Sequence, residues 1–96
     1  MCTIILDGTK IQTEQDFHKL LSGLLNFGSY YGNNLDALWD RLSTDVERPR
    51  QIIWLNSVLS RKSLGEVFDK IINIFERIKQ QNLRFNWGES FDYVLK

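Results

Sequence analysis

The sequence predicts a single α/β domain in which helices pack on a small, largely parallel sheet. Two nearly continuous apolar runs, Thr3 to Leu6 and Gln51 to Leu55, are rich in strand-forming residues. The stretches between and after them carry apolar residues at helical spacing. Strands separated by helical crossovers favour a parallel sheet with right-handed connections. With 96 residues, 43% of them hydrophobic, and no repeat or linker, residues 1–96 are expected to share one core.

The first strand is predicted at Thr3 to Leu6 and is closed by the turn-forming pair Asp7-Gly8. Because the run is almost entirely apolar, we expect it to be covered on both faces of the sheet. Cys2 lies beside this run and is expected to act as a small buried hydrophobe. It is the only cysteine, so no intramolecular disulfide is possible.

The first helix is predicted to begin at Thr13, whose hydroxyl can cap the acidic residues that follow. Apolar residues then recur at helical spacing: Phe17, Leu20, Leu21, Leu24 and Leu25. His18 is the only histidine and lies beside these core positions. We therefore expect His18 to be structural.

A second helix is predicted after a loop at residues 26–33, with Asn33 or Asn34 as its cap. Its apolar stripe comprises Leu35, Leu38, Trp39 and Leu42. Proline cannot continue a helix, so Pro49 separates this helix from the strand at Gln51 to Leu55.

The longest helix is predicted from the capping-box spacing of Ser63 to Glu66. The strongest helical period in the chain follows: Leu64, Val67, Phe68, Ile71, Ile72, Phe75 and Ile78. Near the end, Leu83 to Trp87 and Phe91 to Leu95 can each form a strand, and we favour Phe91 to Leu95 for the sheet.

The charges balance overall but are unevenly distributed along the chain. Twelve basic and twelve acidic residues give no net attraction to nucleic acid or anionic membranes. Residues 1–47 nevertheless carry seven acids and three bases, and residues 48–96 carry five acids and nine bases. The molecule is therefore expected to be bipolar. The sequence has neither a signal-peptide pattern nor a membrane-spanning apolar run, so we expect a cytoplasmic protein.

Aromatic and acidic residues are most concentrated at residues 30–40, in a loop and the helix after it. At about 100° per residue, Asp36 and Asp40 share one helix face, with Trp39 near Asp36. Such aromatic groups are typical of interface centres, and carboxylates can replace a substrate phosphate opposite a partner's Arg or Lys. The structural alternative is that Asp36 caps the helix, Asp40 is solvated and Trp39 belongs to the core.

Other classes of function have less support. Catalysis requires an activated nucleophile, a metal cluster or carboxylates with separated pKa values, and no His or acidic cluster supports Asp36 and Asp40 in that role. We expect no cofactor and no metal. Direct nucleic-acid binding would use a modest set of basic and aromatic residues: Arg48, Arg50, Arg61, Lys62, Arg84, Phe85 and Trp87. A protein-interaction module without inhibitory activity is the remaining alternative.

The segment from Tyr30 to Asp40 resembles the most characteristic part of the barstar family, small bacterial inhibitors of an extracellular ribonuclease. The similarity covers nearly the whole chain. It includes Ile4 to Gly8, Asp16 to His18, Val46 to Pro49, and Phe75 with Lys79.

The resemblance implies an intracellular inhibitor, monomeric when free, that blocks the active site of a ribonuclease or toxin nuclease. It also implies three parallel strands with about four helices, and a cis bond before Pro49. The predicted partner-binding residues are Tyr30, Tyr31, Asn34, Asp36, Trp39, Asp40, Thr44 and Asp45, with Asp40 as the principal phosphate mimic.

This chain departs from the family pattern at two places. It has Ser43-Thr44-Asp45 where the familiar inhibitor presents an aromatic, and Arg77 where the long helix adds an acid. Glu76 is adjacent, but one residue rotates a helix position by about 100°, so Glu76 should not take over that role. The departures leave the identity of the nuclease open.

Overall fold

The computed structural model describes residues 3–25, 32, 34–44, 51–85 and 91–96. The elements in chain order are β1 (Thr3–Asp7), a short 3-10 helix (Gly8–Lys10), α1 (Glu14–Leu25), α2 (Leu35–Thr44), β2 (Gln51–Leu55), α3 (Ser57–Leu64), α4 (Glu66–Phe85) and β3 (Asp92–Leu95). Within these ranges, no helix combines the length and apolar character needed to cross a bilayer. Cys2 and the bond before Pro49 lie outside the described residues.

The three strands form one parallel sheet with β2 in the centre. Its register places Leu6, Trp54 and Leu95 side by side. The predicted α/β class, with three parallel strands and four helices, is confirmed. The choice of Phe91 to Leu95 for the last strand is also confirmed, because β3 lies within it and Leu83 already belongs to α4.

The core lies between one face of the sheet and the helices. An aromatic cluster occupies its centre, where the Phe17 ring stacks on Trp54 with centroids 5.4 Å apart. The Phe75 ring approaches both, at 6.5 Å from Phe17 and 6.4 Å from Trp54. All three side chains are fully buried. These contacts join α1, β2 and α4 into one body, and each aromatic pair adds about 0.5 to 1.5 kcal/mol beyond area burial.

The prediction that β1 is covered on both faces is wrong. Ile4 and Leu6 are buried against the helices, whereas Ile5 between them is 54% exposed on the other face of the sheet. Alternating side chains of a strand point to opposite faces, so covering one face buries only every second residue. Ile5 still suits the strand because a β-branched side chain favours extended backbone even at an exposed position.

Helix α1 begins with a reciprocal cap, as Thr13 predicts. The Thr13 Oγ1 accepts from the Asp16 N–H at 3.2 Å, and the Asp16 Oδ2 accepts from the Thr13 N–H at 3.2 Å. One turn later His18 is fully buried, with its Nε2 3.0 Å from the Glu14 Oε2 and its ring edge-on to Phe17. The expectation of a structural histidine is confirmed.

The predicted start of the long helix at Ser63 is wrong, because Ser63 lies inside a separate helix, α3. Gly65 ends α3 with a positive φ of 60°, and its N–H donates to the Arg61 carbonyl oxygen at 2.9 Å. A residue with a positive φ is least strained as glycine, which has no Cβ. The capping-box spacing therefore coincides with a helix C-terminus, and α4 begins at Glu66.

Tertiary hydrogen bonds hold α3 in place. The Trp54 Nε1 donates to the Ser60 Oγ at 2.9 Å, and the Ser60 hydroxyl donates to the Gly8 carbonyl oxygen at 3.3 Å. The Ser57 N–H donates to the Lys96 carbonyl oxygen at 2.9 Å. Gly8 and Lys96 are far from α3 in sequence, so the helix depends on the assembled fold more than on its own apolar period.

Candidate functional site

The entry to α2 is held by the side chain of Asn34. Its Oδ1 accepts from the Ala37 N–H at 2.7 Å, and its Nδ2 donates to the Gly32 carbonyl oxygen at 3.3 Å. The prediction of a cap at Asn33 or Asn34 is confirmed for Asn34, and such a cap typically contributes about 1 kcal/mol. Both ends of the amide are engaged within the chain. Asn34 therefore fixes the start of α2, and its contact with a partner stays a prediction.

The two aspartates of α2 lie one turn apart on its exposed side. Asp36 and Asp40 are both exposed, whereas Leu38 and Leu42 of the same helix are fully buried. Burial of the leucines fixes the rotation of α2 about its axis. The helix consequently presents both carboxylates outward, as their spacing predicts.

Trp39 links this acidic side of α2 to α4. Its side chain is half-buried and packs against the hydrophobic core. The guanidinium carbon of the exposed Arg77 lies 4.4 Å from the centroid of the Trp39 ring, which is a cation–π contact. Trp39 thus belongs to the edge of the core and to the candidate surface at once. This position is compatible with Trp39 as a core residue and with Trp39 as a partner-binding residue.

The contact between Trp39 and Arg77 was not predicted. The two residues are far apart in sequence, and only the packing of α2 against α4 brings them together. The one sequence signal was that Arg77 departs from the family pattern. That departure indicates that residue 77 is unusual, but it does not indicate that Trp39 lies next to it.

Glu76 contacts a different part of the molecule from its neighbour Arg77. Its Oε1 accepts from the Tyr93 hydroxyl at 2.7 Å, and its Oε2 accepts from the Gln80 Nε2 at 2.8 Å. Lys79 and Asp92 form an ion pair at 3.2 Å between the same two elements, α4 and β3. Glu76 thus joins α4 to β3 while its neighbour Arg77 contacts α2, which is the divergence expected for adjacent positions on a helix.

These hydrogen bonds shift the pKa values of both partners. Donation from Gln80, and next from Tyr93, lowers the pKa of Glu76. Burial, and next the hydrogen bond to Glu76, raises the pKa of Tyr93 to about 12. A lowered carboxyl pKa stabilises the fold above the ordinary Glu pKa, and this contribution is lost as the pH falls through the folded-state value. A raised phenol pKa stabilises the fold below the ordinary Tyr pKa, and this contribution is lost as the pH rises through about 12.

We expect Tyr93→Phe to reduce stability at neutral pH and to lose much of that effect in acid. The reason is that Glu76 becomes protonated in acid and no longer accepts a charge-assisted hydrogen bond. Urea unfolding of both proteins at about pH 7 and about pH 3, on either side of the ordinary Glu pKa, measures the difference. An equal deficit in the free energy of unfolding at both pH values would contradict the assignment.

In alkali, one of the three tyrosines should ionise near pH 12, and this late transition should be absent from Tyr93→Phe.

The other predicted partner-binding residues lie wholly or partly outside the described residues. Tyr30, Tyr31 and Asp45 lie outside the described residues. Thr44 is the last residue of α2, and its side chain is also outside the described part. These four residues remain predictions.

The alternative basic surface is described only in part. Arg61 and Lys62 are exposed on α3. Arg48, Arg50 and Trp87 lie outside the described residues, as do the side chains of Arg84 and Phe85. In the described ranges, no group of three or more His, Cys, Asp or Glu residues is arranged to hold a metal ion.

Comparison with known proteins shows which family the chain resembles. The sequence model of the family described as Barstar (barnase inhibitor) matches residues 1–95. A protein of Bacillus subtilis (strain 168), named "Putative ribonuclease inhibitor YrdF", is 33% identical over 81 residues. That alignment covers 84% of this chain and 89% of the relative.

Proposed function

The chain belongs to the barstar family of barnase inhibitors, and on that premise we propose that it inhibits a ribonuclease or related toxin nuclease by occupying the active site. The acidic and aromatic side of α2 enters the cleft and excludes the nucleic acid. The inhibitor acts as a protein–protein binder, and the proposed mechanism requires no cofactor.

The observation that carries the proposal is the outward presentation of Asp36 and Asp40 beside the half-buried Trp39. A nuclease cleft that binds phosphates must offer cationic and hydrogen-bond-donating groups. Carboxylates can accept the same charge-assisted hydrogen bonds as the phosphate oxygens. Asp40 is proposed as the principal phosphate mimic, and Trp39 as an aromatic anchor at the edge of the contact.

Binding also relieves a local cost within the free protein. Two like charges at i and i+4 destabilise a helix by roughly 0.2 to 0.5 kcal/mol. A nuclease cation between Asp36 and Asp40 would attract both carboxylates and offset that repulsion. Such a pair is mildly unfavourable in an isolated helix, apart from what Asp36 in the first turn recovers from the helix dipole, and it is better matched by a cationic partner.

The remaining partner-binding residues are proposed to complete the interface around α2. Tyr30 and Tyr31 would supply aromatic area on the entry side, and Thr44 and Asp45 would extend the contact past the end of the helix. Asn34 would act chiefly by holding the helix start. We propose a cytoplasmic monomer that protects the nucleic acid of the producing cell.

The test is capture of partners from the native host with three baits. The wild-type protein should retain a nuclease and abolish its activity on RNA or DNA, whereas Asp36→Ala/Asp40→Ala should lose both effects. Glu66→Ala serves as the control, because it also removes an exposed carboxylate from a helix. Glu66 lies eleven positions, or about 16 Å along α4, from Arg77, which is the residue of α4 that contacts Trp39 at the candidate surface.

The outcomes separate the proposal from its alternatives. Retention of one nuclease by the wild type and by Glu66→Ala, but not by the double variant, supports both the function and the site. Capture of the same partner by all three baits, with no effect on nuclease activity, would indicate a non-inhibitory interaction module. A salt-dependent gel shift of RNA with the purified protein would instead favour direct nucleic-acid binding.

A further inference from the structure

Arg77 brings a positive charge beside the side of α2 that presents Asp36 and Asp40. Its guanidinium carbon is 4.4 Å from the Trp39 ring centroid, and both side chains reach the surface where α2 packs on α4. The ring attracts the cation through its quadrupole but carries no formal charge. The contact therefore holds the guanidinium in place without neutralising it.

We propose that Arg77 is a specificity-determining residue of the inhibitory surface, selecting a nuclease that presents a carboxylate at the rim of its cationic cleft. This inference rests on the proposed function and adds to it the charge pattern of the partner. Asp36 and Asp40 would face the cations that bind phosphate. Arg77 would face an acid beside them and would disfavour a nuclease with a cation at that point.

The chemistry of arginine suits this role. Guanidinium groups bind carboxylates through two parallel N–H···O hydrogen bonds. In its usual geometry, a stacked aromatic ring does not accept these hydrogen bonds, so the N–H donors stay available to a carboxylate of the partner. Placing two like charges together at an interface is strongly unfavourable, so one residue can exclude a partner as well as favour one. A basic nuclease without such an acid would therefore bind this surface poorly because of Arg77.

Arg77 is also a positioning residue for Trp39. The Trp39 side chain packs against the core and is only half-buried, so its outer part depends on neighbours such as Arg77 for a defined position. Loss of the cation should leave the fold intact and alter the environment of this indole. Trp54 offers an internal reference, because it is fully buried and its Nε1 donates to Ser60.

The first measurement follows the indole N–H signals of the free protein in ¹⁵N NMR spectra. Arg77→Gln should shift the Trp39 signal and leave that of Trp54 in place, while Arg77→Lys should retain part of the wild-type shift. An unchanged Trp39 signal in Arg77→Gln would overturn the positioning role. This readout does not require a nuclease, so it is independent of the proposed function.

The second measurement uses purified barnase, the nuclease in the family description, as the probe. Arg77→Glu should inhibit barnase at least tenfold more strongly than the wild type does, with Arg77→Gln between them. The gain should decrease as salt is added, because screening weakens the interaction between exposed charges. Lys62→Glu makes the same charge change at an exposed position of α3 and should produce little gain.

The outcomes distinguish a wrong specificity from a wrong function. If Arg77→Glu and the wild type act equally on barnase, or if Lys62→Glu gives the same gain, the specificity role is overturned. The host-capture experiment uses wild-type residue 77 and the nuclease of the native host. It can therefore support inhibition even when the barnase result overturns the role of Arg77, and its own failure would contradict the proposed function instead.

Discussion

Asp40→Ala is expected to weaken the complex with the captured nuclease by about 30-fold to a few thousand-fold, chiefly through faster dissociation. Removing one partner of a buried, hydrogen-bonded charge pair at an interface costs about 2 to 5 kcal/mol, a range drawn in part from barnase and barstar themselves. Each 1.4 kcal/mol corresponds to about tenfold in affinity. The loss is large because the nuclease cation is left buried without a counter-charge. Surface plasmon resonance or stopped-flow mixing measures both rate constants.

The same substitution should leave the free inhibitor folded. Asp40 is exposed, and substitutions at such positions usually change stability by less than about 0.5 kcal/mol. Urea unfolding of the free variant provides this control, and Asp40→Asn separates loss of charge from loss of shape. If Asp40→Ala unfolded the protein, or if dissociation were unchanged, Asp40 would not be the principal phosphate mimic.

Gly8→Ala is expected to destabilise the fold by about 2 to 3 kcal/mol, because the new methyl group has no space. A Cβ at this position would lie 2.6 Å from the Leu55 carbonyl oxygen and 2.7 Å from the Ser60 Oγ, and closer still to the Asn56 carbonyl oxygen. Two of these atoms belong to the backbone at the end of β2. Relief of the clash would have to move β2 or α3 and disturb the hydrogen bond from Ser60 to the Gly8 carbonyl oxygen.

Thermal unfolding should show a drop in Tm of roughly 10 to 20 °C for Gly8→Ala, given the size of this domain. Gly23→Ala is the matched control. Apart from its chain neighbours and the backbone of its own helix, no atom of the described residues lies within 4 Å of a Cβ added at Gly23, which is exposed in α1. That variant should gain about 0.5 to 1 kcal/mol from alanine's higher helix propensity. Equal Tm values for the two variants would contradict the close approach at Gly8.

Much of the fold could be predicted because its signals are local. The cap at Thr13 and the cap at Asn34 each involve residues within four positions of one another. The apolar periods of α1, α2 and α4 likewise report which side of each helix is buried, except that Leu24, predicted within the α1 period, is 45% exposed near the end of that helix. Phe17, Leu38 and Phe75 all lie in the core as those periods predict.

The candidate site could be predicted as a set of residues but not as an arrangement. The spacing of Asp36 and Asp40 on one helix determines that they share a face. It does not determine what lies next to Trp39 on the neighbouring helix. The family resemblance marked Arg77 as unusual, and only its position over the Trp39 ring gave it a physical role.

The sequence by itself determined the first two strands, the apolar faces of three helices and the acidic helix α2, because each depends on residues close together in the chain. Only the tertiary structure decided that one face of β1 is uncovered, so that Ile5 is exposed. It also decided that hydrogen bonds of Ser57 and Ser60 hold α3, and that Arg77 contacts the Trp39 ring. These features arise where elements distant in sequence pack together. Local periodicity describes each element separately, whereas such contacts depend on the relative placement of all of them.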